Sequence, residues 1–134
     1  MRVALDTNVL VSAVATRGLC ADVLQVTLAE HELVLGETVL RELRRVLRQK
    51  IRMPADMINE VEAFLRRHAA IIPEAPPLRL RLRDRTDLPV LAEAMAGNAD
   101  VLVTGDRDLH ATPAEMPLPI LTPRQFWERL RTSS

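Results

Sequence analysis

The chain has one cysteine, Cys20, in 134 residues. That excludes an intrachain disulfide and leaves no sign of a cysteine-based zinc site; a small buried or half-buried thiol is expected there. No apolar run approaches the roughly 18 residues of a membrane span. The first residues enter a strand pattern at once, so no signal peptide is expected and a cytoplasmic location is. Lysine is nearly missing too, since Lys50 stands alone beside 17 arginines. The three histidines, His31, His68 and His110, are scattered. No pair is spaced for metal-free acid–base cleavage, and each is expected at a surface or boundary. An apolar fraction of 48% and a charged fraction of 27% exclude a disordered chain and predict one domain with one core. The domain is expected over 1–131, with a short disordered tail at 132–134.

Formal net charge is zero, which would argue against a polyanionic partner if charge were evenly spread. It is not. Arg41, Arg44, Arg45, Arg48 and Arg52 form one cluster, and Arg79, Arg81, Arg83 and Arg85 form another. Basic surface beside an acidic pocket suits a polyanion, although solvated helix faces account equally well for any single arginine.

The pattern alternates strand and helix. Val3–Leu5, Glu32–Leu35, Ala69–Ile72, Asp100–Thr104 and Pro119–Leu121 read as strands. Helices are expected over about 8–14, 19–29, 37–50, 54–68 and 87–97, with a last one after Thr122–Pro123. Leu78–Arg83 alternates Leu and Arg, as an extended segment would, and 106–110 reads as one short helical turn. Such alternation implies a parallel sheet with helices on both faces.

Asp6 ends the first apolar run and Asp106 follows Val101–Thr104, so two acids fall at one sheet edge, where open α/β folds carry chemistry. In isolation each is equally a helix cap or turn former. On the helix after Gly36, Glu42 lies within about 60° of Val39, beside the apolar stripe; a boundary ion pair to an arginine is the plain alternative. Asp87 opens a helix and is turned towards Leu91 and Ala94, or simply caps it. Carboxylates gathered in one pocket repel one another, and a hard divalent cation such as Mg²⁺ or Mn²⁺ relieves this. Such an ion polarises a phosphate and acidifies water, which makes phosphodiester hydrolysis the natural chemistry.

These residues carry a resemblance. Leu5-Asp6-Thr7-Asn8-Val9-Leu10, Val39-Leu40-Arg41-Glu42-Leu43, Asp87-Leu88-Pro89-Val90-Leu91-Ala92 and Asp100-Val101-Leu102-Val103-Thr104-Gly105-Asp106-Arg107-Asp108 appear in that order, and Pro119–Phe126 closes the match. The set resembles the PIN domain family, in particular the VapC-like toxins of type II toxin–antitoxin pairs. The resemblance implies a three-layer α/β/α sandwich with a central parallel sheet of about five strands. It implies an Mg²⁺- or Mn²⁺-dependent endoribonuclease whose acidic ligands fall on Asp6, Glu42, Asp87 and Asp106. Asn8 and Thr104 would support the site, and Asp108 would add an outer carboxylate. Arg83, Arg85 and Arg107 are candidates for the RNA backbone. An antitoxin partner and a homodimer are implied as well. Gly36 departs from the pattern, because serine is common there; capping of the Glu42 helix would pass to the glycine or Thr38.

Three rival readings stand beside this one. A haloacid dehalogenase-type phosphatase needs a second aspartate two residues after the first, where this chain has Asn8, and a downstream lysine it lacks. A PIN-fold scaffold without activity, or a free-standing RNA-processing nuclease, fits the same motifs, although a complete acidic set argues against decay.

Overall fold

In the computed structural model, residues 1–74, 87–106 and 117–132 are described, with Asp87 and Leu88 described by backbone only. The expected extended segment at 78–83 and residues 107–110 of the expected helical turn lie outside them. The elements run β1 (Arg2–Leu5), α1 (Thr7–Ala15), α2 (Leu19–Glu30), β2 (Glu32–Gly36), α3 (Glu37–Gln49), α4 (Ala55–His68), β3 (Ala70–Ile72), α5 (Asp87–Ala96), β4 (Val101–Val103), β5 (Ile120–Leu121) and α6 (Pro123–Thr132).

All five strands are parallel, in the order β3-β2-β1-β4-β5, within a three-layer α/β/α fold. The chain builds outward from β1 to β3 on one side, then crosses to β4 on the other. β1 and β4 are therefore neighbours at the point where strand order reverses, and the crevice beyond their carboxyl ends is open. Their register pairs Leu5 with Val103, so the next residues, Asp6 and Thr104, sit side by side. At the opposite ends Asp100 locks the register: its carboxylate accepts from the Arg2 amide at 2.7 Å, and its own amide donates to the Arg2 carbonyl.

The strands are nearly all apolar because both sheet faces are covered. Val3, Leu5, Leu33, Val34, Leu35, Val101, Leu102 and Val103 are each at most 1% exposed, and burying each such side chain stabilises by about 1.5–3 kcal/mol. Phe126 anchors α6 into the same core. That helix starts with a reciprocal cap: the Gln125 amide donates to Thr122 Oγ1 and the Thr122 amide to Gln125 Oε1. It runs to Thr132, and residues 133–134 of the expected tail lie outside the described residues. A hydrogen bond from the Thr132 hydroxyl to the Arg129 carbonyl extends the last turn. No single helix among the described residues is long and apolar enough to cross a membrane.

Two helix starts are capped from outside the helix. The α1 cap is Asp6, one of the two readings its position allowed: its side chain accepts from the Thr7 amide. At α3 Gly36 occupies the cap position, as one of the two expected residues, without a side-chain bond, and the Thr38 amide donates to Glu93 Oε1 of α5 at 2.7 Å. A carboxylate borrowed from another helix thus serves the positive end of α3. Gly36 makes this possible, because a Cβ there would stand 2.5 Å from Glu93 Cδ. Gly97 is a similar case, since a Cβ would meet Val34 and Ile72, while Asn98 takes the left-handed turn that ends α5.

Glu93 is 1% exposed, and among the described residues its Oε2 has no partner. Burial pushes its carboxyl up; the bonds from Thr38 oppose this, the Glu74 charge adds to it and Arg41 counters it. The folded chain therefore holds the Glu93 proton to higher pH than the unfolded chain, and stability falls as pH rises above the ordinary glutamate value. Glu93→Gln keeps the acceptor for Thr38 but cannot ionise. Urea melts should show its stability gain over the parent growing from pH 4 to pH 8; a constant difference would contradict this. Gly36→Ala should cost on the order of 1–3 kcal/mol in the same assay through overpacking against Glu93.

Candidate active site

The cap that Asp6 supplies also fixes its carboxylate. Oδ1 accepts from the Thr7 amide at 2.7 Å, and Oδ2 accepts from the Thr104 hydroxyl at 2.7 Å. The Asp6 amide donates to the Val103 carbonyl, continuing the β1–β4 ladder one step past the strands. Thr104 is fully buried, and its hydroxyl oxygen in turn accepts from the Asp106 amide at 3.0 Å. One hydroxyl therefore ties the two strand-end acids together.

Glu42 enters from α3, which packs against α1. It is half-buried, as the edge of the apolar stripe implied, but its partner is not an arginine: the Thr7 hydroxyl donates to Oε2 at 2.8 Å. Thr7 is the residue that sequence reasoning undervalued. Its amide serves Asp6 and its hydroxyl serves Glu42, so one side chain links the β1 and α3 carboxylates. Its place directly after the strand-end acid was the available signal.

Asp6, Glu42 and Asp106 line one open cleft of about 490 Å³, with Asn8 exposed at its mouth and Lys50 just past the end of α3. Asp6 is 6% exposed. Burial pushes its carboxyl above the ordinary aspartate value, the bonds from Thr104 and Thr7 pull it down, and the charges of Glu42 and Asp106 push it up again. Glu42 and Asp106 thus both bear on Asp6 across the cleft. Among the described residues, however, no three His, Cys, Asp or Glu side chains draw together closely enough to hold a metal ion as they stand.

Of the expected site residues, the structure brings Asp6, Glu42, Asp106, Asn8 and Thr104 together. Asp87 opens α5, but its side chain lies outside the description. Asp108, Arg83, Arg85 and Arg107 also lie outside it. Of the histidines, His31 is half-buried and His68 exposed, its ring 4.5 Å from that of Phe64; neither lines the cleft. Cys20 is a half-buried free thiol.

Replacing Thr104 with Val keeps the shape but removes the donor to Asp6 and the acceptor for the Asp106 amide. Chemical denaturation should show a loss of about 1–3 kcal/mol, with Thr104→Ser recovering most of it. No loss in Thr104→Val, with the loss falling on Thr104→Ser instead, would mean that the methyl packing, not the hydroxyl, is what matters.

Comparison with known proteins agrees with this architecture. The structure resembles VapBC2 of Rickettsia felis, crystallised bound to a DNA fragment from its promoter, at a TM-score of 0.62 and 20% identity over 91% of this chain and 98% of that one. It resembles VapBC-1 of nontypeable Haemophilus influenzae at 0.64 and 17%, covering 92% and 99%. FitAcB of Neisseria gonorrhoeae follows at 0.60 and 15%, covering 91% and 98%. At these identities the likeness is one of fold. No curated protein matches the sequence. The PIN domain family model matches residues 2–108, most of the chain, including the β1, α3, α5 and β4 motifs. The chain belongs to the PIN domain family.

Proposed function

We propose that the chain is a divalent-cation-dependent endoribonuclease and the toxin of a toxin–antitoxin pair, acting in the cytoplasm. PIN domains are generally nucleases, and two of the structural neighbours are VapBC complexes. The observation that carries the reading is the carboxylate triad of Asp6, Glu42 and Asp106 at the β1–β4 crevice, with Asp6 raised by burial and by both neighbouring charges.

That electrostatic load is what a hard cation relieves, and an all-oxygen donor set suits Mg²⁺ or Mn²⁺. Asp6 and Asp106 would hold the ion from adjacent strand ends, with Glu42 and Asp87 completing the set. When bound, the ion polarises the phosphodiester and brings water into a reactive pKa range.

The rest is done by the chain's own side chains. Thr7 and Thr104 orient the Asp6 oxygens, so the carboxylate meets its load without rearranging. Asn8 and Lys50 offer donors to a phosphate at the cleft mouth, and Asp108 adds an outer carboxylate. Arg83, Arg85 and Arg107 remain candidates for holding the RNA backbone, contacts that position without reading sequence. In the reaction, water oxygen bonds to phosphorus, the bond to the 3′ oxygen breaks, and the departing oxygen takes up a proton. A cognate antitoxin and a homodimer complete the proposal.

The test compares RNA cleavage in Mn²⁺ and in EDTA. The parent protein should cleave only with the ion, and Asp6→Asn should lose about a hundredfold or more of the rate. Mn²⁺ should also raise the parent's Tm by mass action, and not the variant's. Cleavage that persists in EDTA, or an Asp6→Asn protein that keeps both rate and metal-induced shift, would defeat the reading. A parent that neither cleaves RNA nor binds the ion would favour a scaffold.

A further inference from the structure

Helix α3 serves two clefts. Glu42, Val46 and Lys50 face the acidic one. On the adjoining face Arg41, Arg44, Arg45 and Arg48, joined by Arg66 of α4, line a separate groove of about 610 Å³ between α3 and α4. Helix geometry sets Arg45 only about 4.5 Å along the axis from Glu42 and about 60° around it. The two clefts therefore share one helical wall.

The groove is an incompletely neutralised cationic surface. Glu62 pairs with Arg44 and Arg66, and Glu37 takes Arg66 through two bonds of 2.8 Å. Arg41 pairs with Glu74. Arg45 and Arg48 are exposed and make no hydrogen bond or ion pair among the described residues. Five guanidinium groups thus line the groove against two carboxylates. The pairs with Glu37 and Glu62 brace some of these arginines in place, while Arg45 and Arg48 stay available. Planar guanidinium groups match phosphate oxygens bidentately.

The lining contains no aromatic residue. A protein partner anchored by buried aromatic or aliphatic side chains finds no rigid platform here, and nucleobases find nothing to stack on. What the groove offers is charge alone. We infer that the α3–α4 groove holds the sugar–phosphate backbone of the RNA where it leaves the acidic cleft, through Arg45 and Arg48 and without regard to base sequence. This rests on the ribonuclease reading and extends it: the cleft acts on one phosphodiester while the groove holds the neighbouring strand.

The probe is a fluorescent single-stranded RNA long enough to span both clefts, bound in EDTA so that cleavage does not interfere and followed by anisotropy across a KCl series. R45E/R48E should bind at least about tenfold more weakly, and the slope of log K against log salt should fall by about 1.4, the value for two lost single-strand phosphate contacts. A mixed-base and a homopolymer RNA should lose equally. R67E/R124E makes the same charge change at exposed positions outside the groove and should bind as the parent does; circular dichroism and melting checks confirm that both variants fold. Equal weakening by the two pairs, no weakening by either, or a parent that binds no RNA would overturn the inference. So would loss of poly-glutamate binding in R45E/R48E with RNA binding intact, which would mark a docking face for an acidic protein. A parent that binds RNA through these arginines yet cuts none in Mn²⁺ would refute the ribonuclease reading and leave the groove standing.

Discussion

The parallel pairing of β1 with β4 is the constraint from which the site follows. It joins segments 98 positions apart and sets Asp6 beside Thr104 in the step after the paired residues. A one-residue slip would turn the Asp6 carboxylate to the opposite face of the sheet. Asp100 guards the register from the amino end, and the Thr104 hydroxyl guards it from the carboxyl end. The same bond that secures the ladder orients Asp6 and reaches Asp106 through its amide.

A structural and a chemical role therefore coincide in Asp6. As a cap it gives an oxygen to the Thr7 amide, and as a buried acid it faces Glu42 and Asp106. The two readings that the sequence left in competition are both true, because a carboxylate has lone pairs enough for a backbone amide, a hydroxyl and a further ligand. The repulsion retained among these acids makes the cleft costly to keep, a pattern that points to function more than to stability.

The strands, the helix order and the co-location of Asp6, Glu42 and Asp106 were legible because each depends on local patterning plus the handedness of parallel crossovers. Partners were not. Glu42, read either as a site carboxylate or as half of an ion pair with an arginine, is held by Thr7; the arginines of α3, read either as basic surface or as a solvated face, line a groove against α4. Side-chain pairing across elements depends on helix packing, which periodicity does not encode. The α3 start shows this most clearly. Gly36 looked like a missing cap, and its meaning appears only with Glu93, 57 positions later in sequence, whose carboxylate occupies the space a Cβ would need. A glycine and a distant glutamate together do what a single local side chain would otherwise do.

The claim at the centre is that Asp6 is the hub of a cation site at the β1–β4 crevice. Anomalous diffraction from crystals grown with Mn²⁺ tests it most directly, because it locates the ion without relying on turnover. The account predicts a manganese peak in contact with the Asp6 carboxylate and flanked by Glu42, Asp87 and Asp106. Manganese bound only elsewhere on the protein, or a crevice without a peak at saturating Mn²⁺, would contradict it.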